Sequence, residues 1–412
     1  MLDRKQKLQR IIQLGLEVAQ IKDLDVLLEK VLTEARYLVR ADAGSLYIIE
    51  DNLLKFSYAQ NDTLVKKLEK GRKLVYTTFT MPINNNSIAG FVANNGVLLN
   101  IPDAYKISES MSFSFDSSYD KKVGYTTHSM LTVPLKNNRD KCMGVLQLIN
   151  GKNDNDEIIP FNAEDEPLIK HFANYAATAI ERAQMTRTTI MRMISMAELR
   201  DPKETGPHVN RVAAYAVEIY ETWARLKKIP QEEVDKQRDA LRMAAMLHDV
   251  GKVAISDTIL KKPGRFNDEE YEIMKQHTWL GARLFSDARS DFDEISAEVA
   301  HHHHERWDGN GYPGYVDVQT GEPIEEYKDE EGKARGRKSE EIPVFGRVVA
   351  LADVYDALCS RRVYKEAWDE KKVLKVIEEE KGKQFDPEVV DAFFESIDVI
   401  RSIAQRYPDE KE

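Results

Sequence analysis

The hydrophobic pattern of the chain changes near residue 160, and this change constrains the fold more than any other feature. Before that point, turn residues separate short strand-like segments at 45–50, 53–59, 129–135 and 142–150. From Asn162 to Arg200 the pattern is helical, and Pro167 falls in the first turn, where proline is tolerated. We therefore predict a multidomain protein, in which an α+β domain is joined by a long helix to an all-α domain.

Two further helices are predicted ahead of the strands, at residues 1–22 and 24–38. We place the domains at residues 1–183 and 184–412, with the connecting helix continuing to about residue 200. The apolar stripe along that helix is typical of core packing, and also of a helix that pairs with its twin in a parallel dimer. The pattern alone does not choose between these two roles.

The composition excludes several classes of protein. The 412 residues carry a net charge of −11, which disfavours general nucleic-acid binding, because such binding depends on basic surface. No apolar run approaches the roughly 18 residues of a membrane span, and the first 20 residues lack the apolar core of a secretion signal. The two cysteines, Cys142 and Cys359, are too few for a disulfide framework or a cysteine zinc site. We expect a cytoplasmic protein that binds neither nucleic acid nor membrane.

Histidine is concentrated in the second half of the chain, where seven of the nine occur. The segment 239–252 is apolar on nearly every side and ends in the adjacent pair His248 and Asp249, followed by Gly251 as a helix stop. A charge buried there needs compensation, which a metal ion or a salt bridge would supply. Further histidines and a carboxylate lie on apolar helical segments, at His208, at His277 within a helix predicted over residues 271–280, and at His303, His304 and Asp353. This donor set suits several ions of iron, manganese or zinc.

Residues 23–183 resemble a GAF domain, most closely those of cyclic-nucleotide phosphodiesterases. Phe161, Asp165 and Glu166 fit the second part of their motif, and Asn150 and Lys152 fit the first part with one residue inserted. The resemblance implies an antiparallel sheet with flanking helices around a ligand pocket. Two interpretations stay open: the domain binds a cyclic nucleotide, or it is a dimerisation module without a ligand.

Residues 190–400 resemble the HD-GYP phosphodiesterases, which degrade the bacterial second messenger cyclic di-GMP. Five segments carry the resemblance, namely ETGPH (204–208), HDVGK (248–252), HTWLGA (277–282), HHERWDGNGYPG (303–314) and ADVYDALCSRRVYK (352–365). Ordered motifs of this kind, with so many ligand-type residues in register, make a chance match improbable. The resemblance implies an all-α HD-superfamily domain and a metal-dependent phosphoric diester hydrolase.

Carried over residue by residue, the resemblance implies eight metal ligands, namely Glu204, His208, His248, Asp249, His277, His303, His304 and Asp353. Glu204 is typical of those relatives that hold three metals instead of two. The family therefore implies two or three divalent ions, for which we expect iron, with manganese as the alternative.

The same resemblance implies the groups that act on the substrate. Asp249 is expected to bridge two ions, and Lys252 to reach a phosphate oxygen or the leaving group. Arg362 and Lys365 are expected to contact phosphates, and Tyr312 a guanine or a phosphate. The alternative is that Lys252, Arg362 and Lys365 are solvated surface charges. For Tyr312 the alternative is a structural tyrosine of the loop.

The expected function is hydrolysis of cyclic di-GMP to the linear dinucleotide and GMP, regulated by the GAF domain. The alternatives are a cyclic di-GMP receptor that scarcely hydrolyses it, and a hydrolase of another cyclic nucleotide. Expected partners are cyclic di-GMP, a second copy of the chain bound through the GAF domain and connecting helix, and a cyclase domain.

Thr278, where most family members have proline, and residues 315–341 depart from the family pattern. Residues 315–341 form a longer connection than usual, with nine acidic and five basic residues, and we expect an exposed loop or small hairpin near the mouth of the site. The hypothesis is that it shields the site or changes the choice of substrate. The run of four histidines begins with His301 and His302, which we expect to support the ligands or to face solvent.

Overall fold

The computed structural model describes residues 4–68, 79–198, 206–359 and 368–408. It divides into two compact units, Met1–Arg187 and Thr188–Glu412. The predicted succession of an α+β domain, a long helix and an all-α domain is confirmed.

The first unit has an antiparallel sheet as its centre. Its strands in chain order are β1 (Ala41–Glu50), β2 (Leu53–Asn61), β3 (Thr80–Pro82), β4 (Leu99–Ile101), β5 (Met130–Lys136), β6 (Cys142–Lys152) and β7 (Ile158–Ile159). In the described part of the chain the strand order is β3-β2-β1-β6-β5-β4, with β7 pairing to β6. The sheet therefore contains all four predicted strands.

Helices flank this sheet, and several of them bury apolar residues against its strands. They are α1 (Arg4–Gln20), α2 (Leu24–Val39), α3 (Asp62–Val65), α4 (Ile88–Asn95), α5 (Ser118–Val123) and the long α6 (Glu166–Glu198). Asp23 caps α2 by accepting hydrogen bonds from the amides of Asp25 and Val26. Leu28 and Leu32 of that helix, spaced one turn apart, lie in the core beneath the strands.

The motif residues of the first unit hold this fold together. Asn150 accepts a hydrogen bond from the His128 amide at 2.7 Å and donates to the Tyr125 hydroxyl at 2.9 Å. Lys152 pairs with the buried carboxylate of Asp42. Of the second part of the motif, Phe161 is buried in the core, Asp165 pairs with Lys7, and Glu166 accepts a hydrogen bond from Asn100.

Among its described residues, the second unit contains helices, turns and isolated β-bridges but no β-strand. Its helices are α7 (Gly206–Leu226), α8 (Gln231–Met246), α9 (Asp257–Leu260), α10 (Asp268–Lys275), α11 (His277–Arg283), α12 (Asp291–His302), α13 (Val344–Cys359), α14 (Glu370–Glu379), α15 (Pro387–Glu395) and α16 (Ile397–Arg406). Helix α7 packs against α8, α13 and α15, and α12 packs against α8 and α11. This packing brings the ends of α8 and α12 and the start of α11 to one place.

Two predicted features of this unit were wrong. We expected one helix over residues 271–280, but the chain breaks at Gln276 into α10 and α11. We also expected Gly251 to stop a helix, whereas α8 already ends at Met246. Gly251 is needed for close packing instead, because a Cβ atom there would lie 1.9 Å from the carbonyl oxygen of His277.

Candidate metal centre

His248 and Asp249 follow directly after α8, the helix whose apolar sides fill the core of the second unit. His248 is fully buried and Asp249 is 9% exposed. After the helix, Asp249 Oδ1 lies 3.1 Å from Nε2 of His277 at the start of α11, whereas His248 Nε2 lies 4.0 Å from Asp353 Oδ1. His248 Nδ1 lies 2.8 Å from the carbonyl oxygen of Ala245, one of the acceptors that a helix end leaves without a partner in the helix.

His277 and His303 are oriented in the same way. His277 Nδ1 lies 2.7 Å from the Met274 carbonyl oxygen, and His303 Nδ1 lies 3.0 Å from that of Ala300. A carbonyl oxygen only accepts, so Nδ1 must carry the ring proton, and the Nε2 atom of each neutral ring presents a lone pair. Backbone contacts of this kind fix the tautomer and direction of metal-binding histidines.

One group of candidate ligands consists of Asp249, His277, His303 and His304, whose donor atoms lie within 4.8 Å of one another. Asp249 Oδ1 is 3.1 Å from His277 Nε2 and 3.5 Å from His303 Nε2. The two Nε2 atoms are 3.4 Å apart. The structure therefore brings together four predicted ligands from the ends of three different helices.

A second group consists of His208, His248 and Asp353. Asp353 Oδ1 lies 3.6 Å from His208 Nε2 and 4.0 Å from His248 Nε2. His208 is in the first turn of α7, and Asp353 is in the middle of α13. Asp249 Oδ2 lies 3.3 Å from His248 Nε2, so the Asp249 carboxylate faces one group with each oxygen.

The electrostatics of this cluster fit a cation. Burial lowers the pKa of His303 and His304, which keeps both rings neutral and able to bind a metal. Burial alone would raise the pKa of Asp249, but the charge of Lys252 holds it well below its ordinary value. An ionised carboxylate facing imidazole lone pairs is repulsive in a buried site, and a divalent ion between them removes the repulsion. The residues present therefore fit a metal.

Lys252 and Tyr312 lie at the edge of the cluster. Lys252 Nζ is 2.7 Å from Asp249 Oδ2. The ammonium group that is predicted to contact a phosphate therefore forms an ion pair with Asp249. The ring of Tyr312 stacks on His304, with centroids 4.8 Å apart and planes at 28°. Burial raises the pKa of the Tyr312 hydroxyl, which therefore keeps its proton and acts as a hydrogen-bond donor.

Asp356 is a functional residue that the sequence analysis missed. Its Oδ2 lies 2.8 Å from His208 Nδ1, and its Oδ1 accepts a hydrogen bond of 2.6 Å from Arg211 Nε. Because Asp356 holds Nδ1, it directs His208 Nε2 toward Asp353. The available signal was its position one turn after Asp353, on the same face of α13.

Glu305 joins the ligand-bearing end of α12 to the loop that follows. Its carboxylate accepts hydrogen bonds from the Gly314 amide at 2.7 Å and the Arg337 amide at 3.2 Å. Burial raises its pKa to about 7. Both ends of the 315–341 segment are thus held beside His304.

The 315–341 segment contains two short hairpins and many exposed residues, in line with the predicted exposed loop or small hairpin. The ring of Tyr315 stacks on that of Tyr327 with centroids 3.8 Å apart, and the guanidinium of Arg337 lies 4.1 Å from the Tyr315 centroid. Bridges between Val316 and Pro323 and between Lys328 and Ala334 close two short hairpins. The segment reaches helix α11, since Arg283 donates to the Gln319 carbonyl at 3.1 Å.

His301 and His302 do not face solvent. They are 4% and 8% exposed, and their ring centroids lie 4.5 Å apart. Burial lowers the pKa of His301 to about 4, and it also lowers the pKa of His302 well below its ordinary value. Both are therefore neutral residues packed behind the ligand pair. Three predicted site residues, Glu204, Arg362 and Lys365, lie outside the described part of the chain.

Comparison with known families identifies both domains. Residues 23–180 match the model of the GAF domain, and residues 205–358 match that of the HD domain. The chain combines a GAF domain with an HD domain. The two groups of candidate ligands lie in the HD domain, which is a metal-dependent hydrolase fold. Among the described residues, no helix is both long enough and apolar enough to cross a membrane.

Three curated relatives match this chain over about 220 to 240 residues. A cyclic di-GMP phosphodiesterase of Vibrio cholerae is 37% identical over 57% of this chain and 44% of its own length. A cyclic di-GMP phosphodiesterase of Thermotoga maritima is 39% identical over 54% of this chain and 51% of its own length. A 3'3'-cGAMP-specific phosphodiesterase of Vibrio cholerae is 32% identical over 56% of this chain and 38% of its own length. The match therefore spans about half or less of each relative.

Proposed function

We propose that this protein is a metal-dependent phosphodiesterase of the HD-GYP type that hydrolyses cyclic di-GMP. The observation that carries the proposal is the pair of ligand groups joined through Asp249, one at each carboxylate oxygen. Phosphoric diesters resist attack because of their own negative charge, and a site of this kind places cationic and imidazole groups around one carboxylate. Relatives that act on cyclic dinucleotides support this choice of substrate.

The proposed cofactor is two or three divalent ions of iron, with manganese as the alternative. His277, His303 and His304 would hold one ion, His208, His248 and Asp353 a second, and Asp249 both. Bound divalent ions in such a site neutralise the phosphate and lower the pKa of a water that attacks it. Mixed imidazole and carboxylate donors without thiolate support iron or manganese. Glu204 is proposed as a ligand of a third ion.

The residues around the centre are proposed to bind and orient the substrate. Lys252 holds a proton next to Asp249, from which it can donate to a phosphate oxygen or to the leaving oxygen. Tyr312 offers its hydroxyl and one face of its ring beside His304. Arg362 and Lys365 are proposed to contact the phosphates. The substrate is cut first to the linear dinucleotide, and a third ion at Glu204 would support the second cut to GMP.

The alternative substrate is 3'3'-cGAMP, because two relatives are named for it. The two cyclic dinucleotides differ in one purine base, so the metal centre itself cannot distinguish them. A receptor that binds cyclic di-GMP without cutting it is the other alternative. Complete ligand groups argue against it, because binding alone does not need a water-activating centre.

The test is anaerobic turnover by the full chain loaded with Fe²⁺ or Mn²⁺, with cyclic di-GMP and 3'3'-cGAMP supplied separately and products resolved over time. We expect linear dinucleotide and GMP to be released faster from cyclic di-GMP than the corresponding products are released from 3'3'-cGAMP. Asp249→Asn should abolish it, whereas Asp257→Asn, which changes an exposed carboxylate of the same unit, should retain it. Tight binding without product would establish the receptor instead. Release of GMP that persists in Glu204→Gln would contradict a third ion.

Regulation through the GAF domain is part of the proposal. That unit has a cavity of about 570 Å³ lined by Tyr105, Phe113, Phe115 and polar residues, which would suit a small ligand such as a cyclic nucleotide. A cytoplasmic location would follow from an intracellular messenger as substrate. A cyclase domain is proposed as a partner of the 309–314 loop, whose Asn310 is exposed.

A homodimer through the first unit and the connecting helix is also proposed. Leu8, Ile12 and Leu16, spaced one turn apart on α1, are 46%, 56% and 62% exposed. Tyr175 of α6 lies against Gly15 and is itself 47% exposed, so the two helices share one apolar surface. Ile12→Glu with Leu16→Glu should shift the chain from dimer to monomer in sedimentation equilibrium. An unchanged molecular mass would contradict this interface.

A further inference from the structure

Three side chains, Tyr271, Lys275 and Tyr312, lie beside the metal centre between α10 and the loop at 309–314. We call this group of side chains the corner. Tyr271 and Lys275 are four residues apart, so they lie on the same face of α10. Tyr312 completes the corner, and its stacking on His304 ties the corner to the ligand cluster. Of these three residues, the proposed function gives a role only to Tyr312.

The corner combines two aromatic rings with a cation. The rings of Tyr271 and Tyr312 meet edge to face, with centroids 6.1 Å apart and planes at 80°. Lys275 Nζ lies 5.4 Å from the Tyr271 centroid and 5.8 Å from the Tyr312 centroid, both within the range of a cation–π contact. The ring of Tyr312 already stacks on His304, so the half-exposed ring of Tyr271 is the one that can accept a third planar group.

The exposure of these groups argues for ligand binding rather than packing. Tyr271 is 45% exposed, although burying a tyrosine ring would contribute to stability. Lys275 pairs at 2.6 Å with Glu272, whose side chain is 68% exposed. An ion pair that is open to water contributes little, so Lys275 can exchange this partner for a phosphate at small cost.

A cyclic dinucleotide presents more groups than the metal centre can bind. It has two phosphodiesters and two purines, and only the phosphodiester being cut lies on the ions. We propose that Tyr271 and Lys275 form a nucleotide subsite next to the centre, in which Tyr271 stacks a purine and Lys275 neutralises the phosphate that is not being cut. This inference rests on the proposed function and names two residues that determine its preference for dinucleotides.

The test compares two substrates in the metal-loaded full chain. Cyclic di-GMP uses the subsite, whereas bis(p-nitrophenyl) phosphate has a single phosphate and no purine and so uses the centre alone. In Tyr271→Ala the ratio of kcat/KM for cyclic di-GMP to that for the small diester should fall about tenfold, mainly through KM, as expected for the loss of one base stack. Tyr271→Phe keeps the ring and should keep the ratio.

Lys275 is tested in the same way. Lys275→Ala should lower the ratio about tenfold, and Lys275→Arg should restore most of it, because the charge is retained. Lys236→Ala removes another exposed lysine of the same unit that pairs with a glutamate at 2.9 Å, and it should leave the ratio unchanged. The metal content of each variant shows whether the centre is still formed.

The outcomes separate this inference from the proposed function. Equal losses for both substrates, or no loss for either, in Tyr271→Ala and Lys275→Ala would overturn the subsite while leaving the phosphodiesterase in place. A wild-type chain that cuts the small diester but not cyclic di-GMP would overturn the proposed function, and the subsite with it.

Discussion

Each of the two units contains a buried aspartate that pairs with a lysine, but the other side chains around the two carboxylates differ in kind. In the first unit, Asp42 is met by donors, namely the Lys152 ammonium, the Tyr125 hydroxyl at 2.8 Å and the Thr63 hydroxyl at 2.9 Å. Burial alone would raise the pKa of Asp42, but these hydrogen bonds lower it. The protein itself satisfies this carboxylate.

In the second unit, Asp249 is met mainly by imidazoles whose Nδ1 atoms are already committed to backbone carbonyl oxygens. His277 and His303 approach it with Nε2, the atom that lacks a proton in the neutral ring. The comparison teaches that a buried aspartate whose neighbours all donate stabilises the fold, whereas one that also faces several imidazole acceptors calls for a further cation. Four predictions, from the largest expected effect to the smallest, test this distinction.

The largest effect should follow from Asp249→Asn. An amide keeps the size of the side chain but removes the charge that both ligand groups share. Turnover of cyclic di-GMP should fall on the order of 10³-fold or more, because residues that act as one unit lose nearly all activity together. Steady-state kinetics and metal analysis measure this. Asp42→Asn is the matched control in the other unit, and a comparable loss there would contradict the distinction.

A smaller loss should follow from Asp356→Asn. The amide can no longer accept two hydrogen bonds from Arg211 and hold His208 at the same time. Metal affinity or activity should fall about 10- to 100-fold, as is typical when the partner of a ligating histidine is lost. Metal titration followed by turnover checks this. Affinity equal to that of the wild type would show that Asp356 only supports the fold.

Lys152→Met should affect stability rather than catalysis. It leaves the Asp42 carboxylate buried without its cation, which costs about 3–5 kcal/mol in comparable buried pairs. Thermal or denaturant unfolding of the full chain should show the loss in the transition of the first unit. The double variant Asp42→Asn, Lys152→Met should recover part of it, because no charge is then left buried. A Lys152→Met chain as stable as the wild type would remove the contrast between the two aspartates.

Removal of metal should have the smallest effect on stability, and only in the second unit. Ions present at about 100 times their dissociation constant stabilise a fold by about 2.7 kcal/mol, and a chelator removes this contribution. Hydrogen exchange should then speed up around residues 248–249, 277 and 302–304 and stay unchanged around Asp42 and Lys152. Equal changes in both units would mean that chelation acts on the whole chain and not at the centre.

The sequence predicted those parts of the site that depend on residue type and order. His208, His248, Asp249, His277, His303, His304 and Asp353 were all named as ligands, and all seven fall in the two groups. Helical periodicity also predicted the long connecting helix and the all-α unit, and short strand-like segments separated by turn residues predicted the sheet.

The parts that the sequence did not predict depend on tertiary contacts. Asp356 reaches His208 across 148 residues, and no local pattern encodes that contact. The break at Gln276 separates α10 from α11, although the apolar pattern runs through it. His301 and His302 were expected near solvent or behind the ligands, and only the packing of α12 against its neighbours shows that both are buried.

The most direct test of the central claim is a metal titration of the apo full chain, in which bound ions per chain and cyclic di-GMP turnover are followed together under anaerobic conditions. The account predicts that turnover appears only as at least two ions of Fe²⁺ or Mn²⁺ bind, and that Asp249→Asn loses both the paired binding and the turnover. Full turnover with no metal bound, or two ions held equally well by Asp249→Asn, would contradict it.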